Sequence, residues 1–270
     1  MRRNIPMNSR SFDDKRIAHG YASDRPWLHK FVIERLKSDL HLQKTFHNGL
    51  DVGCGAGLSA KALRLICDHV TGTDISQEMI SACMDTCNAS GFTFYAAKAE
   101  ETALPETPYD IVTAGGVINW VDKDKFLKNM DLVTAENALL IIYDFWISDK
   151  MSGNNAYTEW FHNLWLTNFP KPPRKEDVWR QSDMPAEFVI KKQVTYQMQH
   201  SFSLESFIRF MMTQSNVNSQ IQAHHRTEAE IYGLMEQTLS PIFHGTDQTL
   251  IFDAYSWYIE RECFLKTDIP

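Results

Sequence analysis

Trp27, Leu28, Phe31, Val32, Leu36 and Leu40 recur at the spacing of one helix face, which predicts a helix from residue 26 to about 42. The polar stretch 1–25 before it reads as an N-terminal arm. Short apolar runs then alternate with amphipathic ones. The runs at 49–52, 70–73, 92–96, 109–114 and 138–143 predict five strands. Helices are predicted between them at 59–67, at 77–88 behind Ser76 as N-cap, and at 123–132 behind Asp122. Such alternation implies a parallel sheet with helices on both faces.

Beyond residue 146 the rhythm changes. Tyr157, Trp160, Phe161, Leu164 and Trp165 follow the i, i+3, i+4, i+7, i+8 pattern of an aromatic helix face, which Pro170 to Pro173 break. Residues 187–200 read as extended, 203–212 and 227–239 as helices, and 250–262 as a closing strand. The second helix carries a Thr227/Glu230 capping box. The expected fold class is α/β: a doubly wound, Rossmann-like, seven-stranded, mostly parallel sheet with a helical lid inserted around its last strands. The expected division is an arm and helix at 1–44, a core at 45–146, a helical lid insertion at 147–186, and C-terminal strands at 187–270 with a second lid insertion at about 203–240.

The formal charge of −7 and the lack of a long basic run disfavour a nucleic-acid partner. The short basic patches Arg2-Arg3, Lys171 to Lys175 and Lys191-Lys192 read as solvated loops or strand edges. The five Cys form no CxxC pair and have no zinc-type spacing, so reduced thiols in a cytoplasmic protein are expected, with no metal. The two N-terminal Arg precede no apolar stretch, and no run approaches the roughly 20 apolar residues that cross a bilayer. A signal peptide and a membrane partner are therefore not expected.

The chemistry concentrates at Gly49-Leu50-Asp51-Val52-Gly53-Cys54-Gly55-Ala56-Gly57. Ligands of open α/β sheets bind beyond the carboxyl ends of the strands. Glycines there let the backbone approach a ligand and adopt positive φ. Asp74 ends the next strand, where a carboxylate can accept hydrogen bonds from both hydroxyls of a ribose. A dinucleotide turn, GxGxxG/A, would place a small residue at 58, where this chain has Leu58; its third glycine falls at 57. Adenosylmethionine carries a sulfonium and an ammonium instead of a pyrophosphate, so Asp51 at the turn favours that nucleoside.

Leu50 to Gly57 resembles motif I of the class I S-adenosylmethionine-dependent methyltransferases, and Thr73-Asp74-Ile75-Ser76 resembles their second motif. Ala99-Glu100 followed by Leu104-Pro105 is similar to the segment that meets the adenine. Residues 109–120, Tyr-Asp-Ile-Val-Thr-Ala-Gly-Gly-Val-Ile-Asn-Trp, resemble the strand-four motif of the type 11 methyltransferase domain, in its trans-aconitate methyltransferase-like branch. Tyr21 with Arg25-Pro26 is similar to an element which that branch carries before its first helix. The resemblance covers residues 20–146 well. Asn119 and Gly116 depart from it: many relatives have His and a larger polar residue there.

The resemblance implies S-adenosyl-L-methionine as cofactor, bound by Tyr21, Asp51, Gly53, Cys54, Gly55, Asp74, Ile75, Met79, Ala99, Glu100 and Gly115. Asp51 and the glycines form the methionine-side turn, and Asp74 takes the ribose. Ile75 and Met79 lie against the adenine, whose edge Ala99 and Glu100 read. Gly115 passes near the sulfonium, and Tyr21 reaches the methionine carboxylate or covers the site. The implied reaction is direct methyl displacement. No general base is evident. The Pro-Pro-Tyr and Pro-Cys elements of nucleic-acid methyltransferases are absent, which favours a small-molecule acceptor. The aromatic, Met-containing stretch (Trp160, Trp165, Phe207, Phe210, Met211) suggests a partly apolar one. A catalytically silent cofactor-binding protein, an NAD-dependent oxidoreductase and a peptide or protein methyltransferase stand as alternatives.

Overall fold

The computed structural model describes residues 15–43, 45–101, 108–170 and 179–262. Arg2-Arg3, Leu104-Pro105, Lys171 to Lys175 and Cys263 lie outside them. In chain order the elements are α1 (Lys15–Ser23), α2 (His29–Asp39), β1 (Phe46–Val52), α3 (Leu58–Leu63), β2 (Cys67–Asp74), α4 (Gln77–Thr86), β3 (Phe92–Ala96) and β4 (Tyr109–Gly115). There follow α5 (Lys123–Val133), β5 (Thr134–Met151), α6 (Ala156–Trp160), α7 (Leu166–Asn168), β6 (Phe188–Phe202), α8 (Leu204–Met212), α9 (Ser215–Gln222), α10 (Glu228–Phe243) and β7 (Gln248–Arg261).

The strands make one seven-stranded sheet in the order β3-β2-β1-β4-β5-β7-β6. Strands β1 to β5 pair in parallel. Between β6 and β7, numbers rise on one strand as they fall on the other: Lys191 meets Glu260 at 3.1 Å, Tyr196 meets Ser256 at 2.9 Å, and Gln197 meets Asp253 at 2.8 Å. That pair is antiparallel, and the sheet is mixed. Strand β1 lies between β2 and β4, so the order reverses there, and it is beyond the carboxyl ends of strands at such a reversal that open α/β sheets bind ligands.

Contacts divide the chain into two compact units, Trp27–Phe145 with Lys175–Tyr196 and Ala254–Pro270, and Met1–Pro26 with Trp146–Arg174 and Gln197–Asp253. In the first, Leu50, Val52, Val112, Ala114, Leu140 and Ile142 bury the sheet face against Phe126, Leu127 and Met130 of α5. Trp179 closes this core, 6.1 Å from both Phe126 and Trp257 between ring centres. At the end of α2, Asp39 accepts hydrogen bonds from Arg35, Lys192 and Tyr258, each at 2.9 Å, which ties the helix to β6 and β7.

The second unit is aromatic at its centre. Tyr157 packs 5.7 Å from Trp160 and 6.0 Å from Phe207, and Phe207 lies 5.6 Å from Phe243. A π-helical turn, Phe161–Trp165, joins α6 to α7. The capping box of α10 forms: Glu230 N–H donates to Thr227 Oγ1 at 3.3 Å, and Thr227 N–H to Glu230 Oε2 at 2.8 Å.

Several expectations need correction. The stretch 1–25 contains α1, whose Ile17 and Ala18 are buried. This helix joins α8 through Asp24–Arg209 (3.2 Å) and Arg25–Thr213 (3.3 Å), so the expected segment 1–44 divides after Pro26. The helix after the glycine turn stops at Leu63, because Phe46 N–H takes the Ile66 carbonyl at 2.7 Å and Cys67 already pairs with Phe46 in the sheet. The helix behind Ser76 ends at Thr86, two residues short of 88, where Cys87 leaves helical geometry. Strand β5 runs far beyond 138–143, carrying Ser148, whose hydroxyl donates to the Ile251 carbonyl at 2.9 Å. Helix α9 has too polar a sequence to show an apolar face. Its amides hold it instead: Asn216 Nδ2 donates to the Phe169 carbonyl at 2.7 Å and Asn218 Nδ2 to the Thr213 carbonyl at 3.3 Å.

Candidate functional site

The loop between β1 and α3 turns sharply because Gly53, Gly55 and Gly57 all take positive φ, at 66°, 52° and 92°. The three glycines are required for different reasons. A Cβ on Gly53 would overlap Val117 Cγ2. One on Gly57 would crowd Cys87 Sγ at 3.1 Å and Cys83 Sγ at 3.3 Å. One on Gly55 would meet nothing within 4 Å. Of the three, Gly55 alone opens onto space, which is where a ligand could approach the backbone.

Asp74 stands at the tip of β2, and its carboxylate is oriented by backbone donors. Gly55 N–H reaches Oδ2 at 3.0 Å and Ser76 N–H reaches Oδ1 at 2.9 Å. These two amides fix the direction in which the carboxylate faces. Ser76 also caps α4, accepting from Met79 N–H at 3.4 Å. Ile75, next to Asp74, is 55% exposed, a large apolar side chain left uncovered at the rim. Met79 is buried in the core.

Asp51 is placed differently from a carboxylate at the mouth of the turn. It is fully buried, and both oxygens are taken: Ser59 Oγ donates to Oδ2 at 2.5 Å and Thr113 Oγ1 to Oδ1 at 2.7 Å. The side chain thereby ties β1 to α3 and β4. Burial raises its carboxyl above the ordinary carboxylate range, the two hydroxyls pull it back only partly, and nearby Asp74 adds to the rise, leaving it at about 7. Between about pH 4 and 7 the folded chain then holds a proton that the unfolded chain has released, so stability falls as pH rises through that window. The shift corresponds to about 4 kcal/mol. Urea midpoints are expected to fall between pH 5 and pH 8, and Asp51→Asn is expected to flatten that fall. An equal slope in both proteins would show that Asp51 is not the source.

On the other side of β1, Gly115 ends β4 beside β5. A Cβ there would lie 2.7 Å from Tyr143 Cζ and 2.8 Å from its hydroxyl, so this glycine admits the Tyr143 ring. Tyr143 is buried, its phenol raised well above its usual range by that burial, and its hydroxyl shares a hydrogen bond with His29 Nδ1 at 2.7 Å. Gly116, at φ 70°, donates its N–H to the Tyr143 carbonyl at 2.8 Å. Glu100 Oε1 accepts the Asp122 N–H at 2.9 Å, and the Ala99 carbonyl accepts Asn129 Nδ2 at 3.1 Å, which fixes both to the start and middle of α5. Tyr21 lies on α1, in the other unit, with the Arg25 guanidinium 3.6 Å above its ring centre. Cys54 is buried between Gly53 and Gly55, its Sγ 3.7 Å from Cys83 Sγ.

Residues 50–142 match a family model described as a methyltransferase domain. Over 114 residues the chain is 31% identical to a methyltransferase of Claviceps purpurea, covering 41% of this chain and 36% of that one. Over 151 residues it is 26% identical to a malonyl-[acyl-carrier protein] O-methyltransferase of Buchnera aphidicola, covering 54% of this chain and 60% of that one. The chain thus spans about a third to three fifths of the length of these relatives. In fold it is similar to a candidate type II methyltransferase of Anaeromyxobacter dehalogenans, with a TM-score of 0.64 at 16% identity, covering 86% of this chain and 95% of that one. The loop, Asp74, Met79, Ala99, Glu100 and Gly115 all fall inside the matched residues, and Tyr21 falls outside them.

Sequence reasoning missed Ser59 and Thr113, which occupy Asp51, and Tyr143, which explains Gly115. A small residue at the end of one strand beside a large one at the end of the next is the signal that could have found Tyr143. The aromatic stretch also needs correction. Trp160, Trp165, Phe207, Phe210 and Met211 are all buried, filling one another's spaces. The concavity of about 350 Å³ in that unit is lined instead by residues such as Gly20, Asp24, Arg209, Met212 and Tyr232. Among the described residues no cluster of His, Cys, Asp and Glu could hold a metal ion, and no helix is long and apolar enough to cross a membrane.

Proposed function

We propose that this chain is an S-adenosylmethionine-dependent methyltransferase acting on a small-molecule acceptor in the cytoplasm. One observation carries the reading. Within a methyltransferase domain, the one loop glycine that opens onto space is held by the acid at the tip of the next strand. The donor set suits this cofactor. Asp74 offers an oriented carboxylate to the ribose hydroxyls, Gly55 offers backbone without a side chain, and Ile75 offers exposed apolar surface to a base.

When bound, the cofactor supplies a methyl group already activated on a sulfonium. The chain's own residues bind and align. Asp74 fixes the sugar and, through Gly55, the turn. Asp51 acts from beneath by keeping β1, α3 and β4 together. Orientation of this kind can contribute roughly 7–11 kcal/mol to a two-reactant step. The absence of a long basic run supports a small acceptor over a nucleic acid, and the four buried free thiols among the described residues suit a reducing compartment.

Isothermal titration tests the reading. S-adenosylhomocysteine is expected to bind one to one, and NAD to give no heat. Binding of NAD without binding of S-adenosylhomocysteine would overturn it.

A further inference from the structure

Two carbonyls of the loop, those of Gly55 and Gly57, accept hydrogen bonds from thiols. Cys83 in the last turn of α4 and Cys87, which caps its C-terminus, stand four residues apart and both meet the loop. Cys83 Sγ–H donates to the Gly55 carbonyl at 3.0 Å, and Cys87 Sγ–H to the Gly57 carbonyl at 3.4 Å. Cys54 Sγ lies 3.7 Å from Cys83 Sγ and 3.8 Å from the same Gly55 carbonyl. Both ends of Gly55 are therefore anchored, its N–H on Asp74 and its C=O on Cys83. A carbonyl oxygen can only accept, so Cys83 must keep its proton to hold this contact. Burial favours the same form for its neighbours: the thiol of Cys87 is pushed up to about 12.

We propose that Cys83 is a positioning residue for the cofactor loop, acting through the Gly55 carbonyl, with Cys87 repeating the contact one turn on. The proposal rests on the cofactor reading above. It explains why two thiols occur at this spacing without any metal-site pattern.

The test compares Cys83→Ala, Cys83→Ser and Cys67→Ala in the full chain. Cys67 is a buried thiol at the start of β2, at the opposite end of that strand from Asp74. Loss of one neutral hydrogen bond predicts roughly fivefold weaker S-adenosylhomocysteine binding for Cys83→Ala. The hydroxyl of Cys83→Ser is expected to restore the affinity, and Cys67→Ala to leave it unchanged. Independently of any ligand, amide exchange at Gly55 is expected to quicken in Cys83→Ala and not in Cys67→Ala. Should Cys83→Ala fail to fold, Cys83→Val keeps the volume without a donor and takes its place. Unchanged affinity and exchange in a folded donor-free variant would overturn the proposal, as would equal weakening by Ser and Ala, which would mark a packing role. If the unaltered protein binds no S-adenosylhomocysteine but Gly55 exchange responds as expected, the cofactor reading fails and the loop contact stands.

Discussion

Asp74→Ala is expected to weaken S-adenosylhomocysteine binding by about one to two powers of ten, because hydrogen bonds to a charged acceptor contribute roughly 1.5–3 kcal/mol. The structure makes the loss larger than that of a sugar contact alone. The same carboxylate holds the Gly55 and Ser76 amides, so its removal also frees the turn. Asp74→Asn separates the two effects. It keeps one acceptor oxygen, and with it one of the backbone contacts, but loses the charge, so an intermediate loss is expected. Calorimetry of the three proteins, with melting curves to confirm folding, makes the comparison. Full affinity in Asp74→Ala would remove this residue from the site.

The second large effect is a contrast within one loop. Gly55→Val is expected to abolish S-adenosylhomocysteine binding while the protein still folds. Its Cβ has no neighbour within 4 Å, and the positive φ costs about 1–2 kcal/mol for a left-handed residue. Gly53→Val pays that strain and also collides with the branched Val117 side chain, adding about 1–3 kcal/mol of overpacking. Gly53→Val should therefore melt well below Gly55→Val. Retained binding in Gly55→Val would mean that the ligand approaches elsewhere, and equal melting temperatures would deny the different roles of the two glycines.

Much of the fold could be read where local chemistry and burial agree. Ser76 and Asp122 cap their helices as expected, accepting from Met79 and Lys125 amides, because a capping side chain acts over three residues that are adjacent in sequence. Strand β3 has the limits its apolar run predicts. Elements held by distant partners were not legible. Helix α1 depends on Arg209 and Thr213, nearly two hundred residues away, and α9 depends on an Asn216 amide reaching the Phe169 carbonyl, 47 residues earlier. The site divides in the same way. The glycines and Asp74 stand out because a turn constrains residue type locally. The burial of Asp51 does not, since Ser59 and Thr113 come from two other elements. Cys83 escaped for the same reason: its partner is a backbone carbonyl 28 positions earlier.

The paired amides beneath Asp74 also bear on how such a pocket could change its preference. Two N–H groups converge on one point beside the first turn of a ten-residue helix, an arrangement that ordinarily attracts anions, and here the protein supplies the negative group itself. On the proposed reading, a phosphorylated sugar would meet a built-in negative charge there. Under that reading, the preference of the site for a bare over a phosphorylated ribose would rest on this single side chain.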